Sequence, residues 1–147
     1  MKSLLIRPLR AAFIAAVLLA AVPASAADTT LIVNLAQVKP GPGPLRVGLY
    51  RDPATFRKED KALAVLSAAA TADHVEVRFP GLAPGRYAIM AYHDENSDGS
   101  LNRRFGMFPT EGYGLSNNPK VSGPPAFADS AFEVSGGETR ISIDLRY

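Results

Sequence analysis

Apolar and polar side chains alternate along much of the chain, in short runs separated by turns rich in Gly and Pro. Thr29–Gln37 and Leu45–Arg51 are rich in β-branched and aliphatic residues, and the Pro- and Gly-rich stretch between them cannot sustain a ladder of hydrogen bonds. Val75–Phe79 and Tyr87–Tyr92 repeat the two-residue period, and the latter has apolar residues on both faces. The pattern predicts four strands, the fourth in a central position.

The period changes after the second of these strands. Asp52-Pro53 is typical of a helix N-cap followed by proline at the first helical position, and Phe56, Leu63 and Leu66 recur at roughly helical spacing. The sequence therefore predicts a short helix in this segment, ending at Leu66.

The C-terminal part of the chain begins with a long segment, Asp94–Pro125, that is dense in Gly, Asn and Pro. Strand patterns return at Ser130–Val134 and Thr139–Tyr147, and three alternating aliphatic residues give the last strand an inward face. Six to seven short strands, one short helix and one long loop predict an all-β fold, an antiparallel β-sandwich.

The N-terminus has the order of a secretory signal peptide: basic residues, an apolar run over residues 11–22, and a small-residue cleavage site ending at Ala26. The apolar run is about a dozen residues long, whereas a membrane-spanning helix needs about 20. We therefore expect residues 1–26 to be a signal peptide and residues 27–147 to form a single domain. The predicted location is the periplasm or the cell exterior, with no stable membrane anchor after cleavage.

Charge and cysteine content narrow the classes of function. The formal charge of +2 includes the basic residues of the leader, so the predicted mature domain is close to neutral and is not expected to bind nucleic acid. The chain contains no cysteine, which excludes disulfides and thiolate chemistry. An exported domain without disulfides is typical of the bacterial cell envelope. We expect its partner to be a ligand or another component of that envelope.

A group of carboxylates, amides and glycine directly follows the fourth predicted strand. Asp94, Asn96 and Asp98 lie at alternate positions and Gly99 follows them, as in the opening of a calcium-binding loop. Such a loop brings several oxygen ligands around one ion, with glycine where the backbone turns sharply. Calcium is the only cofactor that the sequence predicts, and its predicted ligands are Asp94, Asn96, Asp98, the main-chain carbonyl of Ser100, and Asn102.

This segment departs from an EF-hand at two points. Phe105 occupies the twelfth position, where an EF-hand has a bidentate glutamate, and a strand instead of a helix precedes the loop. Glu111 is a candidate for the missing carboxylate. The alternative is that the Asp and Asn side chains form Asx turns that stabilise the loop without metal. The sequence leaves both interpretations open.

Other candidate chemistry is sparse. His74 and His93 are the only histidines, too few for a typical zinc or copper site without cysteine, and His93 is predicted to lie at the solvent edge. Phe105–Tyr113 interleaves aromatic residues with Gly and Pro. These rings are predicted to cover an open end of the sandwich, with a stacking surface for a sugar or peptide as the alternative.

Several ordered motifs resemble a family of exported bacterial proteins known as domain of unknown function 2141. The resemblance is carried by LAPGRYAI at Leu82–Ile89, by HDEN at His93–Asn96 with Asp98-Gly99, and by Phe105-Gly106 with Glu111–Gly114. Leu82–Ile89 also resembles the leucine-proline-glycine-tyrosine turn of transthyretin-like and collagen-binding-protein B-type sandwiches. That resemblance implies an immunoglobulin-like topology and concerns the fold alone.

The sequence supports two hypotheses of function. The favoured one is a non-catalytic binding or accessory module of the bacterial envelope that carries a calcium-binding loop. The alternative is a hydrolase acting on cell-envelope glycans or peptides, because any pair among Glu95, Asp98 and Glu111 supplies the two carboxylates that such a reaction requires.

Overall fold

Ten strands and two short helical segments make up the structure, a computed structural model that describes residues 29–147. The predicted signal peptide lies outside the described residues. A 3-10 helix spans Glu59–Lys61 and helix α1 spans Phe127–Ser130. The strands are β1 (Thr30–Ala36), β2 (Pro44–Tyr50), β3 (Ala64–Ala69), β4 (Val75–Phe79), β5 (Gly85–His93), β6 (Arg103–Arg104), β7 (Phe108–Pro109), β8 (Tyr113–Leu115), β9 (Phe132–Val134) and β10 (Glu138–Asp144).

Two main sheets form the sandwich. One has the strand order β10-β1-β4, and the other has the order β3-β2-β5-β8, with β9 paired to the N-terminal end of β5. Strand β5 therefore lies between neighbours, as its two apolar faces predict. The pairings are antiparallel except that β1 and β10 run parallel. The prediction of an all-β sandwich is confirmed, and the immunoglobulin-like topology implied by the resemblance stays a prediction.

The core lies between the two sheets, because every second side chain of the facing strands points inward. The turn before β5 is fixed by Tyr87, whose hydroxyl donates a hydrogen bond of 2.6 Å to the carbonyl of Ala83. Buried core residues come from both sheets, among them Leu31, Val33, Leu35, Leu45, Val47, Leu49, Val77, Phe79, Tyr87, Ile89, Ala91, Ile143 and Leu145.

A second apolar cluster covers part of the outer face of the five-stranded sheet. Phe56 is its centre: its ring lies 5.4 Å from that of Tyr50 and 5.8 Å from that of Phe127, edge to face in both cases. The loop after β2 and helix α1 are thereby held against the sheet. The buried members of this cluster are Tyr50, Phe56, Ala88, Met90, Leu115 and Phe127.

The prediction of a helix over residues 52–66 is wrong. Asp52 does not cap a helix, because its Oδ1 accepts an N–H two residues further on, at 2.8 Å, in a tight turn. Arg57 has a φ of 67°, a left-handed conformation that interrupts any right-handed helix. Only Glu59–Lys61 is helical, and Ala64–Ala69 is a strand that pairs with β2.

The long segment Asp94–Pro125 contains more structure than its composition predicts. Strands β6 and β7 form a two-stranded hairpin, and β8 pairs with β5 in the large sheet. We call residues 103–109 the hairpin. Within residues 29–147, no helix has the length and apolar character needed to cross a membrane.

Candidate functional site

Strand β5 delivers the chain into the candidate site at two buried polar residues. His93 Nε2 lies 2.9 Å from the carbonyl oxygen of Pro42, and His93 Nδ1 lies 3.0 Å from the hydroxyl of Tyr147. The N–H of Asp94 donates to the carbonyl of Pro44 at 2.9 Å. Burial of His93 contradicts its predicted place at the solvent edge, because the C-terminal Tyr147 and the turn before β2 cover it.

Asp94 holds the loop from the inside. Asp94 is only 2 % exposed. Its two carboxylate oxygens accept hydrogen bonds from backbone N–H groups, Oδ1 from Asp98 at 3.0 Å and Oδ2 from Gly99 at 2.9 Å. The turn requires left-handed backbone at Ser97 and Gly99, whose φ angles are 58° and 77°. Glycine meets that requirement without a steric penalty.

Asn96, Asp98 and Asn102 meet at the exposed rim of the same loop. Both amides donate to Asp98 Oδ2, at 3.0 Å from Asn96 and 2.9 Å from Asn102, and the two amides bond each other at 3.1 Å. The hydrogen bond from Asn102, and after it the one from Asn96, lowers the pKa of the Asp98 carboxyl below its ordinary value. Asp98 Oδ1 also accepts the N–H of Ser100 at 2.9 Å, so hydrogen bonds of Asp98 connect it to the other four residues predicted as ligands.

Glu111 joins the two ends of the loop. Its Oε1 accepts the N–H of Glu95 at 3.0 Å, and its Oε2 accepts the N–H of Asn102 at 3.0 Å. The residue is buried. Glu111 therefore braces the loop backbone across its opening, and its role as the missing calcium ligand stays a prediction.

The donor set of the loop fits a hard cation in part. It offers the carboxylates of Asp94 and Asp98, the amides of Asn96 and Asn102, and main-chain oxygen at Ser100, all of them the oxygen ligands that calcium prefers. Across residues 29–147, no cluster of three or more His, Asp or Glu side chains is arranged to hold a metal ion. Any cation here thus depends on amide and main-chain oxygens as well as on carboxylates.

The Asx-turn interpretation describes hydrogen bonds that are present. Asn96 Oδ1 accepts the N–H of Asp98 at 3.2 Å, and Asp98 Oδ1 accepts that of Ser100, each two residues on. The same bonds occur in loops that bind metal and in loops that do not, because an oxygen that accepts one N–H retains a second lone pair.

The hairpin projects beside this loop and exposes apolar side chains. Phe105 is 81 % exposed, Met107 is 68 % exposed and Phe108 is 62 % exposed. The N–H of Thr110 bonds the carbonyl of Asn102 at 2.9 Å, so the base of the hairpin is tied to the loop. The exposure of Phe105 and Phe108 contradicts the prediction that these two rings cover an open end of the sandwich, whereas Tyr113 is half-buried in β8.

A groove, which we call the outer groove, lies between the hairpin and the segment Ser122–Pro125. Met90, Tyr113 and Leu115 of the large sheet form its floor, and its volume is about 570 Å³. Arg57 and Arg103 line one end, where the groove continues into a more polar compartment containing Tyr50, Glu59 and Tyr92. Sequence reasoning missed this site because five separate segments form it.

The carboxylates proposed for a hydrolase lie elsewhere. Asp98 and Glu111 accept backbone N–H groups within the loop. Neither of them, nor Glu95, lines the outer groove or its polar continuation. No observation on the described residues favours a carboxylate-pair reaction over the binding-module hypothesis.

Comparison with known proteins places the chain in a broader group. Residues 33–142 match the family model described as "Uncharacterized protein conserved in bacteria (DUF2141)". No curated protein and no solved structure matches the chain. The matched span includes β2 to β9, the loop and the outer groove, so the candidate site belongs to the part of the chain that defines the match.

Proposed function

The chain belongs to the DUF2141 family of bacterial proteins, and we propose that it is an exported β-sandwich that binds calcium and serves as a binding module, not as an enzyme. The order of basic, apolar and small residues in the leader supports export. The calcium assignment is carried by one observation, the meeting of Asn96, Asp98 and Asn102 at Asp98 Oδ2.

Rotation of an asparagine side-chain amide by half a turn exchanges the positions of its NH₂ group and its carbonyl oxygen, because the two lie on opposite sides of the same planar group. Asn96 and Asn102 now donate to Asp98. After rotation they present oxygen toward the same point, and a calcium ion takes the place of the amide hydrogens. The backbone needs no large movement, because Asp94 already fixes the turn.

The charge of the loop argues for a weak site. Only Asp94 and Asp98 among the proposed ligands are carboxylates, and calcium affinity in loops of this kind falls as the number of charged ligands falls. A dissociation constant of about 10⁻⁴ to 10⁻³ M is typical of extracellular calcium modules. Such an affinity suits a protein outside the cytoplasm.

Calcium is expected to raise the melting temperature of the chelator-treated protein, because an ion that binds only the folded state stabilises it by mass action. At ten times the dissociation constant the stabilisation is about 1.4 kcal/mol, which corresponds to a rise of about 6 °C for a domain of this size. Differential scanning calorimetry with and without calcium measures it.

Asp98→Asn is the variant that isolates the site, because it keeps an acceptor for the N–H of Ser100 while it removes the rim carboxylate. Its calcium-dependent rise is expected to disappear. Glu95→Gln is the matched control, since Glu95 is an exposed neighbouring carboxylate outside the proposed ligand set, and it should retain the full rise. Equal melting temperatures with and without calcium, or an unchanged rise in Asp98→Asn, would reject the proposal.

A further inference from the structure

The outer groove contains an arginine whose polar atoms are incompletely paired. Arg57 Nε is buried and has no hydrogen-bond partner among the described residues. A buried donor without a partner costs the folded state its desolvation free energy. The same residue has a φ of 67°, an unfavourable backbone conformation for a residue with a side chain. Two unfavourable features therefore meet at one residue that lines the groove, and the surrounding structure holds Arg57 there at a cost to the folded state.

The surrounding structure keeps Arg57 in this place. Its neighbour Phe56 is buried between the rings of Tyr50 and Phe127, so the loop after β2 is anchored directly beside Arg57. A hydrogen bond of 3.0 Å from the N–H of Lys58 to the carbonyl of Thr55 closes the turn around it. The backbone at Arg57 is thus held by a packed aromatic cluster, as expected for a residue that presents a preorganised binding group.

The charged side chains that line the apolar part of the groove are all positive. Arg57 and Arg103 both line this part, whereas no acidic residue does. Neither arginine forms an ion pair among residues 29–147. In the polar continuation Arg46 is different, because its Nε donates to Glu59 Oε1 at 2.9 Å. Arg57 and Arg103 are therefore the cations available to an anion in the groove.

We propose that the outer groove binds a small carboxylate with an apolar chain. Arg57 and Arg103 hold the carboxylate, and the chain lies on Met90 and Leu115 between Phe108 and Ser122–Pro125. This inference rests on the proposed role as a binding module but not on the calcium site. A guanidinium matches the planar carboxylate with two parallel hydrogen bonds, and a volume of about 570 Å³ lies within the usual range for small-molecule sites.

The geometry favours a small ligand over a membrane surface. Arg104 and Phe105, an exposed cation and an exposed apolar ring at the tip of the hairpin, do not line the groove. Arg57 reaches the groove but sits in a partly buried position that a flat lipid surface does not contact. Membrane binding would therefore depend on Arg104 and Phe105, and ligand binding on Arg57 and Arg103.

Isothermal titration with dodecanoate tests the proposal on the full-length mature protein. Arg57→Gln is expected to weaken binding about tenfold, and Arg103→Gln about threefold, because each loses a charge-assisted hydrogen bond. Arg104→Gln is the matched control, a neighbouring arginine outside the groove, and should leave the affinity unchanged. Dodecanol, which has the same chain without the charge, should bind at least about tenfold more weakly than dodecanoate.

Circular dichroism of each variant shows whether it is folded. If Arg57→Gln does not fold, Arg103→Gln still tests the proposal, because Arg103 is exposed on the hairpin. Absence of dodecanoate binding to the wild type, or equal loss in Arg103→Gln and Arg104→Gln, would overturn the proposal. So would binding to phosphatidylglycerol vesicles that depends on Arg104 while dodecanoate does not bind. The dodecanoate titration is done once with chelator and once with calcium, so that its result is independent of the calcium proposal. Only the calcium-dependent rise in melting temperature depends on Asp98.

Discussion

His93 illustrates how a residue that resembles a metal ligand in sequence has a structural task in the fold. Its Nε2 faces the carbonyl of Pro42 at 2.9 Å, and a carbonyl only accepts, so Nε2 carries the proton. In the neutral ring Nδ1 then accepts from the hydroxyl of Tyr147 at 3.0 Å, and that hydroxyl accepts the N–H of Lys39 at 3.0 Å. Both ring nitrogens are occupied, which leaves His93 no free nitrogen for a metal.

Tyr50 gives a prediction about stability at alkaline pH. Burial, and after it the nearby Glu59, raises the pKa of its phenol to about 12 from an ordinary value of 10.0. Between these values the unfolded tyrosine ionises while the folded one stays neutral, so its stabilising contribution is complete below about pH 10 and is lost as the pH rises through about 12. Urea unfolding should therefore show a steeper fall in the wild type than in Tyr50→Phe.

The Tyr50→Phe comparison removes the effects of other groups that titrate in this range, because they are the same in both proteins. The substitution keeps the ring that packs at 5.4 Å from Phe56. Equal slopes of the unfolding free energy against pH in the two proteins would show that burial of Tyr50 does not raise its pKa as stated.

At the scale of elements, the loop and the hairpin act as one unit. Asn102 links them: its side chain bonds Asp98 in the loop, and its carbonyl accepts the N–H of Thr110, just after the hairpin. Glu111, also after the hairpin, accepts the N–H groups of Glu95 and Asn102 in the loop. The loop and the base of the hairpin are therefore expected to unfold together.

Glu111→Ala is expected to destabilise the protein by about 3 kcal/mol, because two backbone donors lose a charged acceptor at once. The two bonds that it removes are both 3.0 Å long, to the N–H groups of Glu95 and Asn102. Equilibrium unfolding in urea measures the change. Glu95→Ala removes an exposed carboxylate from the same loop and should change stability by less than about 0.5 kcal/mol.

A loss in Glu111→Ala no larger than in Glu95→Ala would show that Glu111 does not brace the loop. A second measurement locates the effect. Amide hydrogen exchange at Asn102 should accelerate in Glu111→Ala, whereas exchange at Val33 in β1, a core position, should follow global unfolding alone.

Local pattern predicted the elements whose side chains have a two-residue period and a buried face. Strands β1, β2, β4, β5 and β10 have both properties, and their positions were predicted within a few residues. Strand β3 was missed because its run of alanines lacks a contrast between faces. Strands β6 to β8 have only two or three residues each, which is too short for any period to appear.

Of the two candidate sites, the sequence predicts only the one whose residues are close together along the chain. The loop could be predicted because its oxygen side chains are close in sequence and glycine marks its turn. The outer groove could not, because it depends on the left-handed Arg57, a hairpin, β5 and the segment before α1. Only the tertiary fold brings those parts together, and the aromatic-, Gly- and Pro-rich run Phe105–Tyr113 is the one local sign of them.

At the scale of the whole molecule, β8 joins the candidate site to both sheets. It pairs with β5 in the large sheet. On its other side Tyr113 exchanges two backbone hydrogen bonds of 2.9 Å with Arg146, just beyond β10 of the small sheet. The floor of the outer groove, which includes Tyr113 and Leu115, therefore depends on how closely the two sheets approach at this edge.

Gly114, in the middle of β8, controls that approach. A Cβ at this position would lie 2.6 Å from Ile143 Cγ2 and 2.7 Å from the carbonyl oxygen of Asp144, both far inside van der Waals contact. Gly114→Ala therefore forces β8 away from β10 and is expected to destabilise the protein by about 2 kcal/mol, as overpacking does. It should also weaken dodecanoate binding, because the groove floor moves.

Gly41→Ala is the control, since a Cβ there meets its nearest atoms only at 3.9 Å, an ordinary van der Waals contact, and Gly41 does not line the groove. It should leave urea unfolding and dodecanoate affinity unchanged. If Gly114→Ala were as stable as the wild type, the contact between β8 and β10 would not limit the approach of the two sheets. If it were destabilised yet bound dodecanoate normally, the groove would be shaped by β5 and the hairpin, and not by the edge where the two sheets meet.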